Sequence, residues 1–226
     1  VRTFWIGNVL GIVMGFGLFG INLIMPLFFQ NALGFTAWDT GLALLPGAIA
    51  SAISMLIVGR ILNFFDPRLL VGAGMLGFGI SAWWLGYLNQ FSGYWDVFWP
   101  RALQGFALGF LFVPLSTVTL GAVPRPELAN ASGLSTLLRQ LGGSLGIAIL
   151  TTLLAREIAV AYESLSAGVT QTHGASISVL TQLVTQNATV ISYDYLFRVS
   201  AIVFFVCLPF VFFMRPSRGA APPAPA

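Results

Sequence analysis

Long apolar stretches dominate the chain, and short polar segments separate them. Residues 3–38, 40–59, 69–95 and 102–124 carry no charged side chain. Each stretch reaches the ~20 residues that an α-helix needs to cross the ~30 Å hydrocarbon core of a membrane. None shows the sustained alternation of a transmembrane β-strand. The pattern therefore predicts an all-α membrane protein with several spans.

The apolar stretches and the turn-like segments between them predict a single six-helix bundle over residues 1–214. The predicted spans are residues 4–29, 40–58, 69–88, 97–120, 128–154 and 196–214. Residues 155–195 are predicted to form a long outer loop. Helical spacing from Ile177 to Ile191 suggests an amphipathic helix in this loop, on the membrane surface or against a partner. The Pro/Ala-rich tail, residues 215–226, is predicted to be disordered.

Composition narrows the function classes. Hydrophobic residues make up 57% of the chain and charged residues 8%, against roughly 25% charged in soluble domains. All ten basic residues are arginines, scattered along the chain, so the net charge of +3 does not indicate nucleic-acid binding. Cys207 is the only cysteine, and no catalytic, metal or phosphate motif occurs. We expect no enzyme activity, metal or cofactor.

The arginines also predict the orientation in the membrane. An even number of spans places both ends on one side, and the loops of that side carry six arginines: Arg2, Arg60, Arg68, Arg125, Arg215 and Arg218. The opposite loops carry only Arg156. Arginine-rich loops stay in the cytoplasm, so we predict that both ends of this segment are cytoplasmic. The chain begins at Val1 rather than Met, and we expect it to be a piece of a longer protein.

Four polar residues inside the spans are candidate site residues. Arg139 lies about 17 Å from the inner surface if its span starts at Leu128, but about 8 Å if the preceding "ELANAS" lies in water. Arg101 lies roughly 7 Å inside the outer boundary, where it can either snorkel or face the interior. Gln104, one turn deeper, favours an interior polar stripe. Asn22 is a weaker candidate, since it can equally serve to bond a neighbouring helix.

Titratable groups suited to a proton relay are absent at mid-membrane depth. None of the seven acidic residues lies clearly there, and His173, the only histidine, falls in the predicted outer loop. Proton relays in membranes normally use such groups.

Small residues recur at helix-packing spacing in three spans, which predicts close helix contacts. They are Gly7, Gly11 and Gly15, then Gly105 and Gly109, then Gly142 and Gly146.

Four sequence motifs together resemble the C-terminal half of EmrB/QacA-like exporters, the fourteen-helix drug:proton antiporters of the major facilitator superfamily. The motifs are "GLALLPGAIAS", "GRILNFFDPRLL", "WPRALQGFALGFLFVPLSTVTL" and "ANASGLSTLLRQLGGSLGIAI". They keep the order of the family, and the resemblance covers residues 4–214.

The resemblance implies a bundle that faces a missing N-terminal bundle across a central cavity, with each bundle built from a three-helix unit and its inverted copy. Spans 1 and 4 would line the cavity, spans 2 and 5 would face the other bundle, and spans 3 and 6 would face lipid. Asn22, Arg101 and Gln104 would then be substrate-cavity residues. The inter-bundle or structural residues would be Arg139, Gln140, Gly142, Gly143 and Gly146.

The segment "GRILNFFDPR" resembles the cytoplasmic loop motif of the same family. Gly59 would permit a tight turn, while Asp66 would tie helix ends together with Arg60 and Arg68. Asn63 stands where the motif usually has an acid, which argues against a charge-relay latch there.

The implied function is proton-driven export of small amphipathic compounds across the bacterial cytoplasmic (inner) membrane. The coupling acids of the family lie mainly in the N-terminal half, and a periplasmic adaptor protein is a possible partner. Two alternatives remain open, because a fold does not fix a function. One is a major facilitator transporter with another substrate, and the other is a non-transporting six-helix membrane scaffold.

Overall fold

The computed structural model describes residues 2–31, 33–88, 92–169 and 177–213. It does not describe the side chains of residues 2, 161–162 and 164–186. Its helices are α1 (Arg2–Asn31), α2 (Ala37–Ile61), α3 (Pro67–Leu85), α4 (Tyr94–Gly121), α5 (Leu128–Val169) and α6 (Ile177–Cys207). Short 3₁₀ helices cover Arg125–Glu127 and Leu208–Phe213. Each of the six helices contains a stretch long and apolar enough to cross a membrane. The predicted all-α fold with six spans is confirmed.

The region predicted as a long outer loop is largely helical. α5 continues to Val169 and α6 already begins at Ile177, whereas residues 155–195 were predicted to be a loop. Apolar stretches of membrane length cover residues 125–160 and 187–213. α5 therefore extends past its apolar stretch at its C-terminal end, and α6 extends past its own at its N-terminal end. The predicted amphipathic helix falls mostly on residues whose side chains are not described, and His173 and the tail 215–226 lie outside the described residues.

Two helix pairs form the closest contacts of the bundle. α1 packs along α5, and α2 packs along α4. If α1 to α3 and α4 to α6 are two copies of one unit, α4 is equivalent to α1 and α5 is equivalent to α2. The pair α1–α5 then corresponds to the pair α4–α2. α3 packs against α4 and α6. The two closest pairs are therefore equivalent in a bundle made of two copies of one three-helix unit.

Glycines set the distance between the paired helices. A Cβ added to Gly15 would overlap the carbonyl oxygen of Arg139, and one added to Gly105 would overlap the carbonyl oxygen of Gly47. A Cβ added to Gly11, in the middle of the α1 stripe, meets no atom within 4 Å. The predicted stripes thus mark helix contacts, but not every glycine in a stripe makes one.

Acidic side chains cap two of the helices at the end of the bundle opposite Arg60. The Thr36 hydroxyl accepts a hydrogen bond from the backbone N–H of Asp39 at 3.2 Å, and the Asp39 carboxylate accepts one from the N–H of Thr36 at 3.3 Å. Asp96 likewise accepts from the N–H of Gly93 at 2.9 Å. These bonds satisfy amides that have no partner inside the helix. Both carboxylates therefore have a structural role at helix ends.

The loop between α2 and α3 differs from the expected tight turn at Gly59. Gly59 lies inside α2, which ends at Ile61. The only described residue with a left-handed backbone is Gly34, with φ of 69°, between α1 and α2. Asp66 occupies the N-cap position of α3, but its side chain makes no capping hydrogen bond. The predicted tie from Asp66 to Arg60 and Arg68 stays a prediction.

Arg198 joins α6 to the C-terminal end of α3. Its Nε and Nη2 donate to the carbonyl oxygen of Gly86 at 3.2 and 3.0 Å, and its guanidinium lies over the Tyr87 ring at 4.9 Å. The positive charge also suits the negative end of the α3 dipole. Arg198 is thus a fixed point between two helices that are far apart in sequence.

Replacement of Arg198 by glutamine is expected to destabilise the bundle. The Gly86 carbonyl loses two hydrogen bonds from a charged donor, and such bonds contribute about 1.5–3 kcal/mol each. Thermal unfolding of the purified protein in detergent measures the effect, with Arg156→Gln as the matched control because Arg156 is exposed. Equal unfolding temperatures for the two variants would contradict this role.

Candidate functional site

A polar cluster of three side chains joins α1 to α4. Arg101 donates through Nη2 to Oδ1 of Asn22 at 2.9 Å and through Nη1 to Oε1 of Gln104. Asn22 also donates to the backbone carbonyl of Leu18, one turn earlier in α1. Gln104 is only 2% exposed, whereas Asn22 is exposed. The three residues that the sequence predicts for the cavity therefore lie together, from the interior of the bundle to its surface.

Glycines of two helices make room for the Arg101 side chain. A Cβ on Gly47 would lie 2.8 Å from Nε of Arg101, and one on Gly105 would overlap the Gly47 carbonyl oxygen. Ser54, farther along α2, donates to the carbonyl of Phe106 at 2.6 Å and holds the same two helices together. The close approach of α2 to α4 fixes the arginine stem, so that its guanidinium points toward α1.

The polar cluster carries more hydrogen-bond donors than acceptors. Nε of Arg101 and Nε2 of Gln104 are buried and have no hydrogen-bond partner. The residues Arg101 and Gln104 line a cavity of about 90 Å³ that also touches Ser51 of α2 and Phe78 of α3. Buried donors without partners are costly, and a cavity of this size admits water or a polar group of a ligand. The site is thus suited to a molecule that presents acceptors beside apolar surface.

Arg139 occupies a different place, between α5 and α4. Its guanidinium lies 4.7 Å from the centre of the Phe112 ring, and its side chain is half-buried. Its backbone carbonyl packs against Gly15 of α1. The arginine thus turns toward α4, and the neighbouring Gln140 is exposed.

The three predicted glycines of α5 are packed against α1. A Cβ on Gly142 would overlap the carbonyl oxygen of Ile12, one on Gly143 would overlap the Phe19 ring, and one on Gly146 would lie 2.8 Å from Cα of Phe16. On the opposite face of α5, leucines are exposed: Leu134, Leu137, Leu141 and Leu145. The glycines therefore contact α1 within the bundle, and the leucine face is the one left open.

Some residues of these sites were not singled out from the sequence. In the sequence, Phe112 is one more apolar residue of a span, and Gly47 is one more small residue of the predicted span 40–58. Only the approach of α4 to α5, and of α2 to α4, gives these residues their contacts with the arginines. A glycine inside a long apolar stretch was the one available signal, because small residues often mark close helix contacts in membranes.

Comparison with known proteins identifies relatives along nearly the whole chain. The family profile described as Major Facilitator Superfamily matches residues 7–226. The multidrug export protein EmrB of Escherichia coli K12 is 32% identical over 220 residues, which cover 89% of this chain and 43% of that protein. The fatty acid resistance protein FarB of Neisseria gonorrhoeae is 28% identical over 233 residues, which cover 95% and 46%. The chain thus spans less than half the length of these relatives.

Solved structures agree on the fold. A bacterial homologue of the human lysosomal transporter Spinster, in an inward-facing and occupied conformation, superposes with a TM-score of 0.76 at 15% identity. The match covers 94% of this chain and 49% of that one. The family profile, the EmrB-like relatives and this superposition agree with the six apolar helices. The chain belongs to the major facilitator superfamily of membrane transporters.

Proposed function

We propose that this chain is the C-terminal bundle of a proton-coupled exporter of amphipathic compounds. The observation that carries the proposal is the polar cluster of Asn22, Arg101 and Gln104, which bonds α1 to α4 at the edge of a cavity. The names of EmrB and FarB, a multidrug exporter and a fatty acid resistance protein, support export of such compounds.

In the proposed mechanism, the polar cluster lies at the central cavity between this bundle and an N-terminal bundle. The unpaired donors of Arg101 and Gln104 bind a polar acceptor of the substrate, and the apolar walls around Phe78 contact the apolar part of the substrate. Rocking of the two bundles would expose the cavity to one side of the membrane and then to the other. Acidic residues outside this chain would carry the protons. The exposed leucines of α5 would face the N-terminal bundle.

The experiment uses the complete protein in proteoliposomes with an imposed pH gradient. Proton-driven exporters move a fluorescent amphipathic dye only while the gradient exists, and collapse of the gradient should stop the movement. Dye movement at the same rate with and without the gradient would refute proton coupling. No dye movement under either condition, with folded protein, would favour a scaffold or another substrate.

The FarB relative and the donor excess favour one second candidate, an exporter of fatty acids. Such a substrate has one carboxylate and a long apolar chain, and the carboxylate would pair with Arg101. Competition between a long-chain fatty acid and the dye in the same vesicles distinguishes the two. Strong competition by the acid and none by its methyl ester would favour the fatty-acid candidate.

The proposed location is the bacterial cytoplasmic membrane, with both ends of this segment in the cytoplasm. The arginine-rich loops carry Arg60, Arg68 and Arg125 and should stay on that side. Reporter fusions truncated after Arg125 should report cytoplasm, and fusions truncated after His173 should report the outside. A cytoplasmic signal at His173 would reverse the orientation.

A periplasmic adaptor protein is the proposed external partner. The extension of α5 and α6 beyond their apolar stretches would give it a surface to contact. Cross-linking of the complete protein in cells, with cysteines placed at Glu157, near the end of the apolar stretch of α5, and at Glu163, beyond it, should capture the adaptor. Capture at neither position, with the adaptor present, would remove this partner from the proposal.

A further inference from the structure

A second pocket, here called the Arg139 pocket, lies between α1, α4 and α5. Its volume is about 80 Å³, and its wall includes Asn8, Gly11, Ser116, Ser135 and Arg139. It lies at the end of the bundle where α4 finishes and α5 begins. None of the three residues of the polar cluster lines it. The pocket is therefore separate from the proposed substrate cavity.

The guanidinium of Arg139 has N–H donors without a hydrogen-bond partner in the described part of the chain. Phe112 covers one face of the group at 4.7 Å, and a cation–π contact uses that face. The five N–H donors lie in the plane of the group, away from the ring. In the described part of the chain, no hydrogen bond or ion pair reaches them. The cation is thus half-buried with its hydrogen-bonding edge free.

The hydroxyl groups of the pocket point to the same kind of ligand. Ser132 and Thr136 donate to backbone carbonyls of their own helix at 2.9 Å each, so their protons are already used. Ser135 differs, because its hydroxyl oxygen is buried and has no partner. The lining contains no aspartate or glutamate. The pocket therefore combines a positive charge, a free hydroxyl and free N–H donors with no negative charge.

We infer that the Arg139 pocket binds a phosphate oxyanion. The guanidinium fork pairs with two phosphate oxygens at once. The Ser135 hydroxyl is buried in this conformation and can donate to a third oxygen after rotation about χ1. The volume fits one phosphate group rather than a drug-sized molecule. An arginine at membrane depth is costly without a partner, and the phosphate supplies one.

Two sources can supply this group at the arginine-rich end of the bundle. One is inorganic phosphate from the adjoining water, and the other is the phosphodiester of an anionic phospholipid whose head group enters beside the exposed Thr136. The inference needs the pocket but not drug export, so failure of one proposal leaves the other testable.

The pocket offers a position for a reporter that does not disturb its walls. Gly11 lines the pocket, and a Cβ added there meets no atom within 4 Å. Gly11→Cys in a Cys207→Ser background therefore places one thiol inside the pocket of the complete protein. Gly59→Cys in the same background is the matched control, because Gly59 is exposed and also has open space around an added Cβ. The rate of reaction with a small uncharged thiol reagent reports occupancy.

The first arm adds inorganic phosphate to protein in neutral detergent, against chloride at equal ionic strength. At ten times its Kd, phosphate should slow the reaction of the Gly11→Cys variant about tenfold by mass action and leave that of the Gly59→Cys control unchanged. The second arm compares phosphatidylglycerol with phosphatidylcholine vesicles, without added phosphate. Protection in the second arm alone identifies the lipid as the source.

The variants Arg139→Gln and Ser135→Ala, each combined with Gly11→Cys, connect the protection to the pocket. Arg139→Gln should abolish protection in either arm, and Ser135→Ala should reduce it. If Arg139→Gln does not fold, Ser135→Ala carries the comparison, since it removes only a hydroxyl. The inference is overturned if neither phosphate nor phosphatidylglycerol protects the thiol introduced at Gly11, or if protection survives unchanged in both variants.

Discussion

Replacement of Gly15 by alanine is expected to disrupt the bundle, whereas the same replacement at Gly11 is expected to be tolerated. A Cβ at residue 15 would overlap the backbone carbonyl of Arg139, which belongs to the facing helix and cannot rotate away. A Cβ at residue 11 meets open space. The two glycines lie one turn apart in α1, so helix propensity, membrane insertion and side-chain size are matched between them.

The expected magnitudes have opposite signs at these two positions. Overpacking costs about 1–3 kcal/mol, and Gly15→Ala should lie at the upper end because two backbones must separate. Gly11→Ala gains up to about 1 kcal/mol in helix propensity with no clash. Thermal unfolding of the purified variants measures the difference. Equal unfolding temperatures would contradict the contact between α1 and α5.

Replacement of Arg101 is expected to remove most transport while leaving folded protein. Leucine deletes the donors to Asn22 and Gln104 and the buried Nε. Loss of one hydrogen bond from the charged guanidinium to a substrate acceptor costs about 1.5–3 kcal/mol, which corresponds to about 10- to 150-fold in rate at 1.4 kcal/mol per tenfold. Lysine keeps the charge but loses the planar fork, so Arg101→Lys should keep part of the activity.

Drug efflux per amount of folded protein measures this effect, with Arg156→Leu as the control. Arg156 is exposed near the end of the apolar stretch of α5 and should tolerate leucine. A structural role alone would lower the yield of all Arg101 variants and leave efflux per folded molecule unchanged. That outcome would remove Arg101 from the proposed substrate cavity.

The helices were predictable because the membrane imposes a strong pattern on the sequence. Each span needs about twenty apolar residues, and six such stretches were visible. The helix ends were less predictable, because hydropathy marks where the membrane ends and not where the helix ends. Arg156, Glu157 and Glu163 interrupt the apolar pattern after residue 155, yet α5 continues through them to Val169. Arginine and glutamate are good helix formers in water.

The candidate site was predictable in its residues but not in its contacts. Arg101 and Gln104 are three residues apart, so one helix face carries both. Asn22 is 79 residues from Arg101, and no spacing rule connects residues that distant. Phe112 shows the same limit of the sequence, because an aromatic residue in a span does not indicate that Arg139 packs against its ring.

The most direct measurement uses Ser51→Cys in a Cys207→Ser background of the complete protein. Ser51 lines the cavity of the polar cluster, and its hydroxyl bonds only to the carbonyl of Ala48 in its own helix, so cysteine should fit with little change. If the cavity binds substrate, a transported compound at ten times its Kd should slow labelling of the thiol introduced at Ser51 about tenfold. Labelling of the Gly59→Cys control should not change. Labelling of the Ser51→Cys variant at one rate with and without any transported compound would contradict a substrate cavity between α1 and α4.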